Sequence, residues 1–210
     1  RGELHRLLAG ADLNQGMLEV AAAAATDLPT GIEWHRADAA ALPLPDGAFD
    51  VVCCQQGLQY CTDRSRALRE AWRVLAPGGR VAVAVWRPID HNPVFAAFAR
   101  ALRRHAGTEA AALMQAPFAG PGRGELHRLL AGAGFDKVVV RIGGFQARFP
   151  SPGQFLHRQV VSSPLAPALA GLDEAARLAL ARDLDQTLGE WTDDDGVVSP
   201  AQTWLATARR

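Results

Sequence analysis

Two short apolar runs with a helical stretch between them constrain the fold of this chain more than any other feature. The runs cover residues 49–54 and 80–85, and neither alternates polar and apolar residues. Such runs are typical of strands in a parallel sheet that helices cover on both faces. The stretch 63–75 has helical periodicity, with Thr62 or Asp63 as N-cap, and Pro77-Gly78-Gly79 ends it. This pattern predicts an α/β protein in which both strands are buried on two faces.

Length, composition and charge exclude several classes of protein. A chain of 210 residues with 49% hydrophobic residues can bury one sizeable core. We therefore predict a single domain, 1–210, in which segments 87–118 and 150–191 form lid helices on the substrate side. The 22 basic residues balance the 22 acidic ones, which gives no support to a nucleic-acid partner. No apolar run reaches 18 residues, so no membrane span is expected.

Neither the three cysteines nor the acidic run Asp193-Asp194-Asp195 indicates a disulfide or a metal site. Cys53, Cys54 and Cys61 lack metal-ligand spacing, and three cysteines cannot all pair within one chain, so we predict reduced thiols in a cytoplasmic protein. The segment 193–196 begins like a calcium loop but lacks the terminal glutamate that such a loop requires. A solvated turn is the favoured interpretation.

Segment 1–11 repeats segment 123–133 letter for letter. In the second copy the sequence indicates a helix that leads into a strand. The first copy stands where a nucleotide-binding half would open with a strand and a glycine-rich turn. We therefore interpret the chain as a fragment or rearranged product in which 1–11 is a duplicated or misplaced copy and the first strand is missing.

Several separated motifs carry a resemblance to a known family. They are Asp38-Ala39, the turn 42–48, the strand 49–54 and the helix end Arg73-Val74-Leu75-Ala76-Pro77-Gly78-Gly79-Arg80. In order and spacing they resemble class I S-adenosylmethionine-dependent methyltransferases, and most closely the small-molecule type similar to ubiquinone and menaquinone C-methyltransferases. The resemblance extends from about Ala11 to the C-terminus. It implies a Rossmann-like, mostly parallel sheet with helices on both faces, an antiparallel final strand and helical lid insertions.

The resemblance also implies S-adenosyl-L-methionine as cofactor and assigns residues to it. Asp12 would accept hydrogen bonds from the ribose hydroxyls, although it could instead cap the helix predicted for 15–26. Asp38 would accept from the adenine amino group while the Ala39 N–H donates to the ring, although Asp38 could simply form a turn. The apolar faces for the purine would come from three leucines: Leu13, Leu42 and Leu58.

Candidates for the reacting end of the site follow the ends of two strands. Gln55 and Gln56 would pass beneath the methionine part of the cofactor, but ordinary loop polarity explains them equally well. Tyr60 would line the acceptor pocket. His91 is the candidate general base because imidazole exchanges protons near neutral pH, and the alternative is capping of the next helix by Asp90 or Asn92.

These residues predict methyl transfer to a small hydrophobic acceptor by in-line displacement, with the acceptor atom and the oligomeric state left open. Loss of the first strand would leave backbone groups unpaired in the sheet, so we expect this chain to bind cofactor poorly and to be at most weakly active. The alternative is a non-catalytic Rossmann-like fragment that serves as an interaction module. A short-chain reductase is disfavoured, because Tyr60 is followed four residues later by Arg64 instead of lysine.

Overall fold

A computed structural model describes residues 8–26, 31–161 and 164–210 of the chain. These residues form two compact units. Unit one comprises Arg1–Ala84, Arg123–Arg141 and Leu205–Arg210, and unit two comprises Val85–Gly122 and Ile142–Trp204. Within the described ranges, every helix is too short or too polar to cross a membrane.

Strands and helices alternate along most of the described chain. The strands are β1 Ala9–Asp12, β2 Glu33–Arg36, β3 Phe49–Gln55, β4 Leu75–Trp86, β5 Asp136–Phe149, β6 Thr192–Asp193 and β7 Gly196–Arg209. The helices are α1 Gln15–Ala24, α2 Arg64–Val74, α3 Pro93–His105, α4 Gly107–Gln115, α5 Arg123–Gly132, α6 Pro152–Val161, α7 Ala166–Ala170 and α8 Glu174–Leu188. This mixed α/β arrangement confirms the predicted fold class.

The strands form two separate sheets. β1 pairs with β2 in parallel, and the second sheet has the order β3-β4-β7-β5, with β6 on β7. β3 and β4 are parallel. The hydrogen bonds of Gly78 and Gly79 with Arg210, and of Arg87 with Gln202, run in opposite order along β4 and β7. The final strand is therefore antiparallel, as predicted.

β1 and β3 each have one free edge within the described part of the chain. β1 pairs only with β2, and β3 pairs only with β4. The prediction that β3 is buried on both faces is therefore wrong: the Val51 side chain is 56% exposed. The same prediction is correct for one face of β4, where Leu75, Val81 and Val83 are almost completely buried.

The repeated segment adopts two different structures. Residues 1–7 of the first copy lie outside the described residues, but residues 8–11 can be compared with 130–133, which have the same letters. In the first copy they lead into β1, whereas in the second they end α5. β1 exists because its backbone pairs with β2, with Gly10 opposite Trp34.

Glycine is required at position 10 by the neighbouring indole. A Cβ atom there would lie 2.3 Å from the Trp34 ring, so no larger residue fits without a shift of that ring.

The helices of unit one follow the predicted periodicity. α2 begins at the N-cap Asp63, whose carboxylate accepts from the Arg66 N–H at 2.8 Å. Its buried residues are Ala67, Leu68, Ala71 and Val74, which lie on one face as the helical periodicity predicts. By contrast, α1 buries only Leu18 and leaves Met17 and Val20 more than half exposed.

The core of unit two is built around aromatic side chains. α3, α4, α6 and α8 supply most of it, and Phe155 makes edge contacts with Phe95, Phe98 and Phe149. Both segments predicted as lid helices belong to this unit. β5 continues without interruption through Gly143-Gly144, and the Gly143 carbonyl accepts from the Thr203 hydroxyl at 3.4 Å.

Candidate functional site

Unit one contains a cavity of about 630 Å³. Its lining comes from β1, the turn after β1, segment 37–44, β3, the turn after β3, one face of α2, and Val81 and Val83 of β4. Most lining side chains are apolar, and the volume is in the range typical of small-molecule sites.

Two carboxylates border this cavity at the carboxyl ends of neighbouring strands. Asp12 is the last residue of β1, and Asp38 follows the end of β2 by two residues. Since β1 and β2 are parallel, the two residues are brought to the same edge of the sheet, where ligands bind in open α/β sheets. The predicted ribose and adenine residues thus share one cavity.

The local hydrogen bonds separate the two interpretations of Asp12. The N-cap of α1 is Asn14, whose side chain accepts from the Gly16 and Met17 N–H groups. Asp12 itself accepts the Asn14 N–H through Oδ1 at 2.7 Å, so the prediction that it caps this helix is wrong. The exposed carboxylate retains Oδ2, which accepts from no described residue.

Asp38 forms a turn and borders the cavity at the same time. Its Oδ1 accepts the Ala40 N–H at 2.8 Å, and its carbonyl accepts the Ala41 N–H at 2.8 Å. The N–H of Ala39 donates to no described residue. A carboxylate and a free backbone N–H therefore stand side by side, which is the pattern that an adenine edge requires.

All three leucines predicted to contact the purine line the cavity, but with different exposures. Leu58 is 1% exposed, Leu42 is half-buried and Leu13 is 63% exposed. Tyr60 also lines the cavity and is 64% exposed, so its phenol is accessible to a ligand.

The two glutamines lie at the end of β3 but are not part of the cavity lining. Gln55 is exposed. Gln56 has a positive φ of 55° and donates its N–H to the Ala84 carbonyl at 2.9 Å. Its buried Oε1 has no hydrogen-bond partner in the described part of the chain. The Gln56 N–H is thus bonded within the sheet, and the side-chain amide is the group that could bind a ligand.

His91 lies in unit two, at the end of the short 3-10 helix Ile89–His91. Its Nε2 is 2.9 Å from Arg87 Nη2. Because a guanidinium can only donate, Nε2 is the acceptor and the ring proton is on Nδ1. Arg87 also stacks on Trp204 at 4.7 Å, so its guanidinium is held in place. His91 can accept a substrate proton at Nε2 only when the hydrogen bond from Arg87 is broken.

Of the two residues named as possible caps of α3, Asn92 is the N-cap residue and Asp90 is not. The Asn92 side chain makes no capping hydrogen bond. Instead, the fully buried Asn92 amide donates to the carbonyls of Arg87 and Pro88 and accepts the Gln202 N–H at 2.9 Å. Asn92 thus joins the turn after β4 to β7.

The sequence did not identify the thiols as part of this site. Cys53, Cys54 and Cys61 all line the cavity. Burial raises the pKa of the Cys54 and Cys61 thiols, so both remain protonated at neutral pH. They therefore act as small apolar lining groups. Their spacing offered no signal for this role, because it depends on the turn that brings Cys61 back beside β3.

The acidic run after α8 forms a hairpin turn. Asp193 and Gly196 pair where β6 and β7 meet, and the Asp193 carboxylate forms a bidentate ion pair with Arg148. Within the described residues, no three side chains of the His, Cys, Asp or Glu type are grouped as metal ligands would be.

The first part of the chain is similar in sequence to known methyltransferases. A family model described as a methyltransferase domain matches residues 2–83. The ubiquinone/menaquinone biosynthesis C-methyltransferase UbiE of Hahella chejuensis is 48% identical over 75 residues, which are 35% of this chain and 30% of that protein. The demethylmenaquinone methyltransferase of Thermus thermophilus is 44% identical over 79 residues, which are 38% and 36% of the two chains. The match thus spans about a third of each relative.

Solved structures share the fold over a longer range. The YcgJ protein of Bacillus subtilis superposes with a TM-score of 0.58 and 17% identity, covering 97% of this chain and 82% of its own. Phosphoethanolamine N-methyltransferase 2 of Haemonchus contortus, solved with S-adenosyl-L-methionine, gives a TM-score of 0.52 and 16% identity, covering 95% and 42%. At these identities the similarity establishes the fold alone. It confirms a Rossmann-like α/β fold.

Proposed function

We propose that this chain is a class I S-adenosylmethionine-dependent methyltransferase that transfers a methyl group to a small hydrophobic acceptor. The observation that carries the proposal is the cavity of unit one, which brings Asp12 and Asp38 together with an apolar lining. A cytoplasmic location is part of the proposal, since free thiols line the same cavity.

The residues of the cavity fit S-adenosyl-L-methionine in their chemistry. The free Oδ2 of Asp12 and its partner Oδ1 provide acceptors for the two ribose hydroxyls. Asp38 and the Ala39 N–H supply the acceptor and the donor for the adenine edge. Leu13, Leu42 and Leu58 would cover the faces of the purine. Gln55 and Gln56 lie at the end of β3 outside the cavity lining, and in the proposal their amide groups serve the methionine part.

The cofactor supplies a methyl group that is already activated on its sulfonium. The task left to the protein is to hold donor and acceptor in line and to exclude water, which can contribute about 7–11 kcal/mol to lowering the barrier. In the proposal, Tyr60 contacts the acceptor. For an acceptor that must lose a proton, His91 is the candidate base after release from Arg87.

The acceptor class rests on two lines of support. The lining of the cavity is mainly apolar, which suits a hydrophobic compound over a charged one. The relatives from Hahella chejuensis and Thermus thermophilus are named for quinone biosynthesis, and we extend that to a quinone-like acceptor for this chain.

Calorimetric titration with S-adenosylhomocysteine tests the proposal. We expect the chain to bind it weakly, as the sequence predicts, and Asp12→Ala to weaken binding further by at least about tenfold, because charged hydrogen bonds to the ribose are lost. Glu109→Ala, which removes an exposed carboxylate from α4, is the matched control and should bind as the wild type does. Equal affinity of the Asp12→Ala and control variants would contradict the assignment of Asp12.

A second candidate function is a non-catalytic Rossmann-like module that contacts a partner. The free edges of β1 and β3 favour it, because unpaired strand edges can pair with another chain. The same titration separates the two functions. A folded chain that binds no S-adenosylhomocysteine at millimolar concentration would favour the interaction module.

A further inference from the structure

Segment 38–47 has no regular secondary structure, yet it supplies several residues to the cavity. Loops of this kind are held by side chains when no strand pairs with them. Here, two charged residues of α2 replace the missing backbone pairing. They are Glu70 and Arg73, three residues apart on the helix and both partly buried.

The Arg73 guanidinium bonds to segment 38–47 at three places. Nη2 donates to the Leu42 carbonyl at 3.0 Å, and Nη1 donates to the Leu44 carbonyl at 2.8 Å. Nη1 also donates to the Asp46 carboxylate. The planar fork of an arginine can reach several acceptors at once, whereas the single ammonium of a lysine cannot.

Glu70 completes the arrangement from the same helix. Its Oε2 accepts the Leu42 N–H at 2.8 Å, and its two carboxylate oxygens accept from Arg73 Nε and Nη2 at 2.8 and 2.9 Å. Both backbone groups of Leu42 are therefore held by one ion pair. Hydrogen bonding from Arg73 lowers the pKa of Glu70, so the pair stays charged at neutral pH.

We infer that Glu70 and Arg73 are positioning residues for cofactor binding: together they hold the backbone of Leu42 and Leu44 so that segment 38–47 presents Asp38, Ala39 and Leu42 to the cavity. Neither residue lines the cavity itself, so their effect on a ligand is indirect. The inference rests on the proposed function, and it adds two residues that would not themselves contact the cofactor. It explains how a loop without strand pairing can offer a defined surface to a purine.

The test combines a ligand-free measurement with a ligand titration. Hydrogen exchange of the Leu42 amide reports the Glu70 bond directly, and we expect it to accelerate in Glu70→Gln and Arg73→Lys without any ligand. Titration with S-adenosylhomocysteine at a temperature where all variants are folded should give affinities about tenfold weaker in Arg73→Lys. Arg69→Lys, an exposed arginine of the same helix, is the matched control.

The possible outcomes distinguish failure of this inference from failure of the proposed function. Faster Leu42 exchange together with weaker binding, in a double-mutant cycle that shows Glu70 and Arg73 to be coupled, would support the inference. Faster exchange with unchanged affinity would mean that the pair is merely structural, and would overturn the inference while leaving the proposed function intact. Absence of binding by the wild-type chain would overturn both.

Discussion

Gly196 shows how strongly a single residue can be constrained in this fold. It has a φ of +108° at the start of β7, and a Cβ atom there would lie 2.2 Å from the Phe149 carbonyl oxygen. A backbone oxygen cannot move aside as a flexible side chain can. The position therefore requires glycine for both its conformation and the space around it.

Gly196→Ala should accordingly lower the free energy of unfolding by about 1–3 kcal/mol, through backbone strain and the contact with Phe149. Urea denaturation followed by circular dichroism measures this. The matched control is Gly189→Ala, where φ is −56° and an added Cβ meets nothing within 4 Å. If both variants unfold at the same urea concentration, the strain assigned to Gly196 is absent.

At the scale of elements, α3 and α8 are joined by one partly buried carboxylate. Asp183 of α8 accepts from Arg104 through both oxygens and from His105 Nε2 at 2.9 Å, both on α3. Thr187 adds a bond from within α8. Burial alone would raise the pKa of Asp183, but these hydrogen bonds outweigh it and hold the pKa below its ordinary value.

A lowered pKa in the folded state gives a definite pH dependence. The stabilisation from Asp183 is complete above the ordinary aspartate pKa of about 3.9 and is lost as the pH falls through the lower folded value. We expect Asp183→Asn to cost about 1 kcal/mol at pH 7 and to flatten the loss of stability below pH 4. Denaturation at several pH values tests this, with Asp185→Asn, exposed on the same helix, as control. Identical acid profiles for the two variants would contradict the role of Asp183.

At the scale of the whole molecule, stability is distributed unevenly. β1 and β2 have four residues each, and the helix between them buries only Leu18. β4, by contrast, has twelve residues and neighbours on both sides. Two-stranded sheets of this size are marginally stable, because they bury little apolar surface.

We therefore expect amides of β1 and β2 to exchange with deuterium at least about a hundredfold faster than those of residues 81–84 in β4. Mass spectrometry of exchanged peptides measures the difference. S-adenosylhomocysteine, if bound through Asp12 and Asp38, should slow exchange at the ends of β1 and β2. Equally slow exchange in both regions of the free protein would contradict the uneven distribution.

The amino-acid sequence by itself determined the elements whose signals are local. The cap at Asp63 and the apolar face of α2 followed from side-chain hydrogen bonding and periodicity, which act within a few residues. The roles of Asp12 and Asp38 were implied by the family resemblance, and the parallel pairing of β1 and β2 brings both residues to one sheet edge. The antiparallel final strand was implied by the family resemblance, and the structure confirms it.

Tertiary structure decided what depends on partners distant in the chain. Residues 8–11 and 130–133 have the same letters, yet the first four lead into a strand and the second four end a helix. The exposure of β3 and the hold of Arg73 on Leu42 also depend on residues far away in sequence. Local propensities differ by only about 1 kcal/mol for most residues, so the backbone pairing and burial available at each place determine the outcome.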